Sequence, residues 1–168
     1  MSNSTPKTLD HETLKHVFVH NLNRIYFGKC YLNDHLGHLK SLASFTALQQ
    51  AIQEFWDDIK TQIARMETVY KLIDETPSDK NCNPIKSIVK DQFCLDEEHT
   101  LPVLLDMDIM MYLQLLEHIN ITACHMLIMV AGQLNYTTAQ QLLTECKDES
   151  IDNDELFTLI TKEYITVD

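Results

Sequence analysis

The stretch from Phe18 to Leu36 constrains the fold more than any other part of the chain. Read at about 100° per residue, Phe18, Leu22, Ile25, Leu32 and Leu36 form one apolar stripe. Lys29 falls within roughly 20° of the centre of that stripe, so a helix here aims an ammonium into the core it helps to build. A core lysine is costly unless it is paired. Three later helical stretches also carry polar residues on their apolar faces, and what these groups do together is the functional question.

With 168 residues the chain reads as one domain with room for a substantial core. Only 3 Gly and 4 Pro leave little material for tight turns, which predicts long uninterrupted elements. A net charge of −12 argues against a nucleic-acid backbone or an anionic membrane as partner. The 5 cysteines are odd in number and lack CxxC spacing. With no signal-peptide pattern, this predicts reduced thiols in a cytoplasm. The most apolar run, Ile119 to Leu134, is interrupted by Asn120, His125 and Gln133 and is expected to be a buried helix, too short to span a bilayer.

Residues 1–9 read as a flexible polar arm and 10–168 as one domain. The first helix is expected from about Asp10 to Ala43, capped by Asp10 or Thr8, with Gly37 weakening its last turns. His16 and His20 lie opposite the apolar stripe, where solvated histidines are expected. Thr46-Ala-Leu-Gln49 has capping-box spacing and opens a second helix to about Asp74. Its stripe runs from Leu48 to Ile73, with Gln62 near the centre and Asp58 on the edge. Asn83-Pro84 starts a short crossover helix ending near Leu95. A long helix from Pro102 to Leu134 follows, with Asn135 as C-cap and Glu117 and Asn120 on its apolar face. A second apolar strip on it, including Tyr112, Ile119, Met126 and Val130, must meet the crossover helix or another subunit. Thr137-Thr-Ala-Gln140 opens the last helix, to about Tyr164, whose stripe of Leu142, Cys146, Leu156 and Ile160 includes Glu149 and Asn153. This order predicts an all-α, ferritin-like four-helix bundle: two antiparallel helical hairpins with a short extra helix in the crossover.

The inward polar set is Lys29; Asp58 and Gln62; Glu117 and Asn120; Glu149 and Asn153. A di-metal bundle needs carboxylates from all four helices, usually with Glu-x-x-His pairs on two. Here three carboxylates come from three helices, and His118 lies about 100° round the helix from Glu117. In one reading Asp58, Glu117 and Glu149 still hold iron, manganese or magnesium, with Lys29 swung aside. In the other, the ammonium supplies the positive charge and pairs with Asp58, Glu117 or Glu149 in a closed network. The second is favoured, because an ammonium in the cage repels a cation there. A third leaves Lys29 snorkelling to the surface.

Phe18-Val-His-Asn-Leu with Tyr26, Gln62-Ile-Ala-Arg65-Met-Glu67-Thr-Val69-Tyr70, Leu116-Glu117-His118 and the segment from Leu142 through Glu149 to Asp154 together resemble the YciE/YciF-like family of ferritin-like proteins. The resemblance covers nearly the whole chain after residue 13. It implies a usually dimeric, stress-associated bundle with no firmly assigned reaction. It also marks departures: Lys29, Asn120 and Ser150 stand where the family has acids, and Asp58 replaces a glutamate, while Glu117 and Glu149 are kept. A neutral amide and an ammonium cannot bridge a metal pair as carboxylates do.

No G-x-S-x-G, Gly-rich phosphate loop or Cys/His nucleophile pair is present, and no small-molecule substrate is identifiable. The expectation is a non-enzymatic, stress-associated homodimer with a degenerate metal site neutralised by Lys29 and no cofactor. The alternatives are a bundle retaining iron or manganese and a helical protein-interaction module.

Overall fold

The computed structural model describes residues 8–80, 83–90, 95 and 101–166. Among these the chain is all α: α1 (His11–Leu42), α2 (Thr46–Leu72), α3 (Pro84–Lys90), α4 (Pro102–Gln133) and α5 (Thr137–Tyr164). Helix α1 packs against α2 and α4, and α5 against the same two, so the four long helices close into a ring. Short α3 lies against α1. The core has the expected stripes: Phe18, Leu22, Leu32 and Leu36 of α1 meet Ile52, Phe55, Ile59 and Met66 of α2, with Ile109, Leu113 and Leu127 opposite on α4. Most of the expected arm, and the expected end of α3 near Leu95, lie outside the described residues.

The helix starts were read correctly at α1 and α3. Asp10 Oδ1 accepts from Thr13 N at 2.8 Å, and Asn83 Oδ1 accepts from Lys86 N at 3.2 Å ahead of Pro84. The two expected capping boxes do not form. At α2 the N-cap is Phe45, and Gln49 reaches back to the Ala43 carbonyl at 2.7 Å. At α5 the N-cap is Tyr136, and Gln140 donates to the Ile128 carbonyl at 3.3 Å. In both places the glutamine finds a carbonyl at the end of the preceding helix, which outcompetes the local box. Asp74 and Asn135, at φ 54° and 58°, close α2 and α4. In each case the next amide turns back, Glu75 N to Tyr70 O at 3.0 Å and Tyr136 N to Ala131 O at 2.9 Å. A glycine-poor chain thus ends its helices with Asp and Asn in the left-handed region.

Buried Asp106 replaces the missing cap of α2. Its carboxylate accepts from Ser44 N at 2.8 Å, Ser44 Oγ at 2.6 Å, Phe45 N at 3.2 Å and Tyr164 Oη at 2.8 Å. One side chain of α4 therefore ties the α1–α2 turn to the end of α5. Helix α1 continues past Gly37 to Leu42, and Gly37 makes room for Trp56, whose ring carbon would lie 3.0 Å from an added Cβ. Trp56 Nε1 donates to Asn33 Oδ1 at 2.9 Å, so this tryptophan staples α2 to α1.

Two expectations about the long C-terminal helices are corrected. Helix α4 is not buried all round: 33% of its most apolar 18-residue window is buried, although by length and composition the helix could cross a membrane. Leu104, Met111, Leu115, Met126 and Met129 lie exposed along its outer side. Helix α5 is rotated from the expected stripe, with Leu143, Cys146, Ser150, Asn153 and Phe157 buried and Leu142 and Leu156 at the edge. Bulky Phe157, packed edge-on to Phe55 at 5.8 Å, lies on the buried face that defines this rotation.

Asp106→Ala is expected to lower unfolding free energy by about 3 kcal/mol, because four donors lose a buried acceptor. Tyr164→Phe should cost about 1 kcal/mol. Urea denaturation of both variants checks this ranking.

Candidate functional site

Lys29 is fully buried, in the gap between Ile25 and Leu32 on α1. Its Nζ donates to Gln62 Oε1 of α2 at 2.6 Å. Gln62 Nε2 donates on to Glu149 Oε2 of α5 at 3.2 Å. Arg65, one turn along α2, places Nη1 2.7 Å from Glu149 and Nε 3.0 Å from Glu145. The result is a chain of polar groups from the centre of the fold to its edge. The ammonium is inside, as its stripe position requires, but its hydrogen bond goes to an amide and not to Asp58, Glu117 or Glu149. The reason lies in the register of α5: Ser150 faces inward, so Glu149 sits at the edge beside Arg65 and meets Lys29 only through Gln62.

Glu117 and Asn120 form a second group on the buried face of α4, with Asn120 Nδ2 donating to Glu117 Oε1 at 3.2 Å. Glu117 Oε2, Asn120 Oδ1 and Ser150 Oγ are buried without hydrogen-bond partners. Desolvation pushes the Glu117 carboxyl up to about 7, with the Lys29 charge pulling the other way. A proton on this acid supplies a donor where acceptors outnumber donors, which favours the neutral form for the same reason. The third pair is Asp58 with Asn153, whose Nδ2 donates to Asp58 Oδ2 at 3.1 Å. Burial raises the Asp58 carboxyl, and the Glu149 charge adds to this against the Asn153 hydrogen bond.

The site residues read from the sequence thus divide into Lys29–Gln62–Glu149, Glu117–Asn120 and Asp58–Asn153. Sequence reasoning missed the part played by Arg65, Ser150 and Asp154. Arg65 is off the apolar stripe and is visible only as part of a motif, and Ser150 shows in the sequence only as a departure from the family, its inward position on α5 hidden by the misjudged rotation of that helix. His118 is exposed, with Nε2 3.6 Å from Asp154 Oδ1. His16 and His20 are exposed on the outside of α1. Cys124 and Cys146 are buried free thiols, pushed by burial up to about 12 and about 11. Protonated and enclosed, they are poor nucleophiles.

A metal pair does not fit this donor set. Glu149 is taken up by Arg65 and Gln62, Asp58 by Asn153, and the centre carries an ammonium. Among the described residues no three His, Cys, Asp or Glu side chains come together as a metal cage.

A family model described as a domain of unknown function, DUF892, matches residues 13–167. The chain belongs to the DUF892 family. Two solved structures show the same fold. The Escherichia coli stress protein YciF is 23% identical with a TM-score of 0.84, over 90% of this chain and 96% of that one. YcfI, described as a putative structural protein from Rhodopseudomonas palustris, is 22% identical with a TM-score of 0.81, over 94% and 98%. The YciE/YciF-like resemblance is therefore correct. No curated protein shows significant similarity to the chain.

Folding raises Glu117 from its usual 4.5 to about 7, so between those values the native state holds a proton that the unfolded chain has released. The stability this group contributes is present at low pH and lost as pH rises through about 7. Unfolding free energy should fall from about pH 5 to about pH 8 by on the order of 2 kcal/mol more in the wild type than in Glu117→Gln. Urea titrations across that range read the difference.

Proposed function

We propose that this DUF892 chain is a non-enzymatic, ferritin-like four-helix bundle of the stress-associated type, with a degenerate metal site. An internal hydrogen-bonded network takes the place of the ions that a di-metal bundle would hold. The observation that carries this reading is fully buried Lys29 bonded to Gln62 at 2.6 Å. The ring of four long helices, with its one long connection between α2 and α4, supports the ferritin-like assignment. The descriptions of YciF as a stress protein and of YcfI as a putative structural protein support a stress-associated or structural role. Reduced Cys30, Cys124 and Cys146 suit a cytoplasmic setting.

Elemental analysis of protein purified without added metal tests this reading. Iron and manganese should lie far below one equivalent and should not rise on incubation with either ion. Near-stoichiometric metal that is lost in Glu117→Ala would overturn it and establish the metal-binding alternative.

The second part of the proposal is a homodimer through the outer side of α4, where Leu104, Met111, Leu115 and Met129 form an exposed apolar strip. Light scattering should give the mass of two chains, and Leu115→Glu should give that of one with unchanged helix content. A wild-type monomer would sink this part.

A further inference from the structure

At the centre of the bundle, Glu117 Oε2, Asn120 Oδ1 and Ser150 Oγ have no hydrogen-bond partner among the described residues. All three side chains are fully buried. Asn120 and Ser150 stand at equal chain distances either side of Asn135, between α4 and α5, so they meet at one level across that antiparallel hairpin. Glu117 lies on the same face of α4 and is bonded to Asn120 at 3.2 Å. Nor is Ser150 satisfied by its own helix. Thr144 and Thr161 donate back to the carbonyls of Gln140 and Phe157, each at 2.8 Å, whereas Ser150 Oγ makes no such bond. Asp154 Oδ1, also unpaired, is apart from this group and faces His118.

The chemistry of the three groups decides what can join them. The Asn120 carbonyl only accepts, the Ser150 hydroxyl donates or accepts, and Glu117 does one or the other according to its proton. A cation placed among them is opposed by Lys29, whose charge reaches Glu117. An anion is opposed by the Glu117 carboxylate and finds no donor in Asn120 Oδ1. A neutral molecule that both donates and accepts satisfies all three. Water, at about 30 Å³, is the smallest that does so. It donates to Asn120 and turns either a hydrogen or a lone pair to Glu117 and Ser150, so it suits the acid with or without its proton. Buried waters in proteins make about three hydrogen bonds to groups otherwise unpaired, which is the number on offer here.

We propose that a single resident water bridges Glu117, Asn120 and Ser150 and ties α4 to α5 at the centre of the bundle. It occupies, beside the Lys29–Gln62 bond, the region where a di-metal bundle would hold its ions. This inference rests on the reading of the interior as a metal-free network, and the same experiment separates failure of the one from failure of the other.

A high-resolution crystal structure of the full chain tests the proposal. It should show an isolated density peak about 2.5–3.0 Å from Glu117 Oε2, Asn120 Oδ1 and Ser150 Oγ. In solution, oxygen-17 relaxation dispersion should count one long-lived water fewer per chain in Asn120→Leu than in the wild type. If Asn120→Leu does not fold by circular dichroism, Ser150→Val, which fills the same point from α5, should give the same loss. If neither folds, the wild-type density decides. Two results would overturn the proposal and leave the metal-free reading standing: Ser150 Oγ bonded directly to Glu117 or Asn120 with no peak between them, or an unchanged water count in a folded variant. A peak bound to Glu117 with the anomalous signal of iron or manganese would overturn both.

Discussion

The contact between Lys29 Nζ and Gln62 Oε1, 2.6 Å long and closed to solvent, is the constraint around which the rest of the interior is arranged. An unpaired ammonium inside a protein costs several kcal/mol. The fold meets that cost with an amide dipole at first contact and a carboxylate one step further out. Gln62 turns its carbonyl to Lys29 and its amine to Glu149, which in turn is held by Arg65 at the edge of the helical ring. The charge at the centre is thereby linked to a charge pair at the surface through one neutral side chain, and α1, α2 and α5 are held in register with one another.

That arrangement decides what the interior can hold. Glu117, on the remaining long helix, sits near enough to Lys29 to feel its charge but is dominated by desolvation. Two carboxylates that could have served a cation are bound by Arg65 and Asn153, and the third tends to carry a proton. Relatives of similar fold are described as a stress protein and as a putative structural protein. The outward-facing apolar surface of the chain lies elsewhere, along the outer side of α4.

Much of this was legible in the residues, because helical periodicity is a strong signal in a chain with so few glycines and prolines. The four long helices and α3 begin at or next to the expected positions, and the anomalous place of Lys29 followed from its stripe alone. What escaped depended on distant parts of the chain. The two capping boxes had the right letters, but Gln49 and Gln140 found carbonyls across the turn. Asp106 shows the same signature as Lys29, a charge on the apolar face of a helix. It was overlooked because its donors lie about 60 positions away, in a turn that no local pattern connects to it. Helix α5 has few apolar residues, so its inward direction was misjudged, and Ser150 rather than Glu149 faces the centre. Helix α4 was read as buried because it is apolar, whereas its outer side faces solvent in the single chain.

The most direct test of the central claim is the stability of Lys29→Met, alone and combined with Glu117→Gln, measured by urea denaturation at neutral pH. A Lys29 held inside by Gln62 predicts a loss of about 1–3 kcal/mol for the single variant, because the buried Gln62 carbonyl is left without its donor, with little regained in the double variant because Glu117 already tends to carry a proton. A loss under about 1 kcal/mol, as for an exposed pair, would contradict the account.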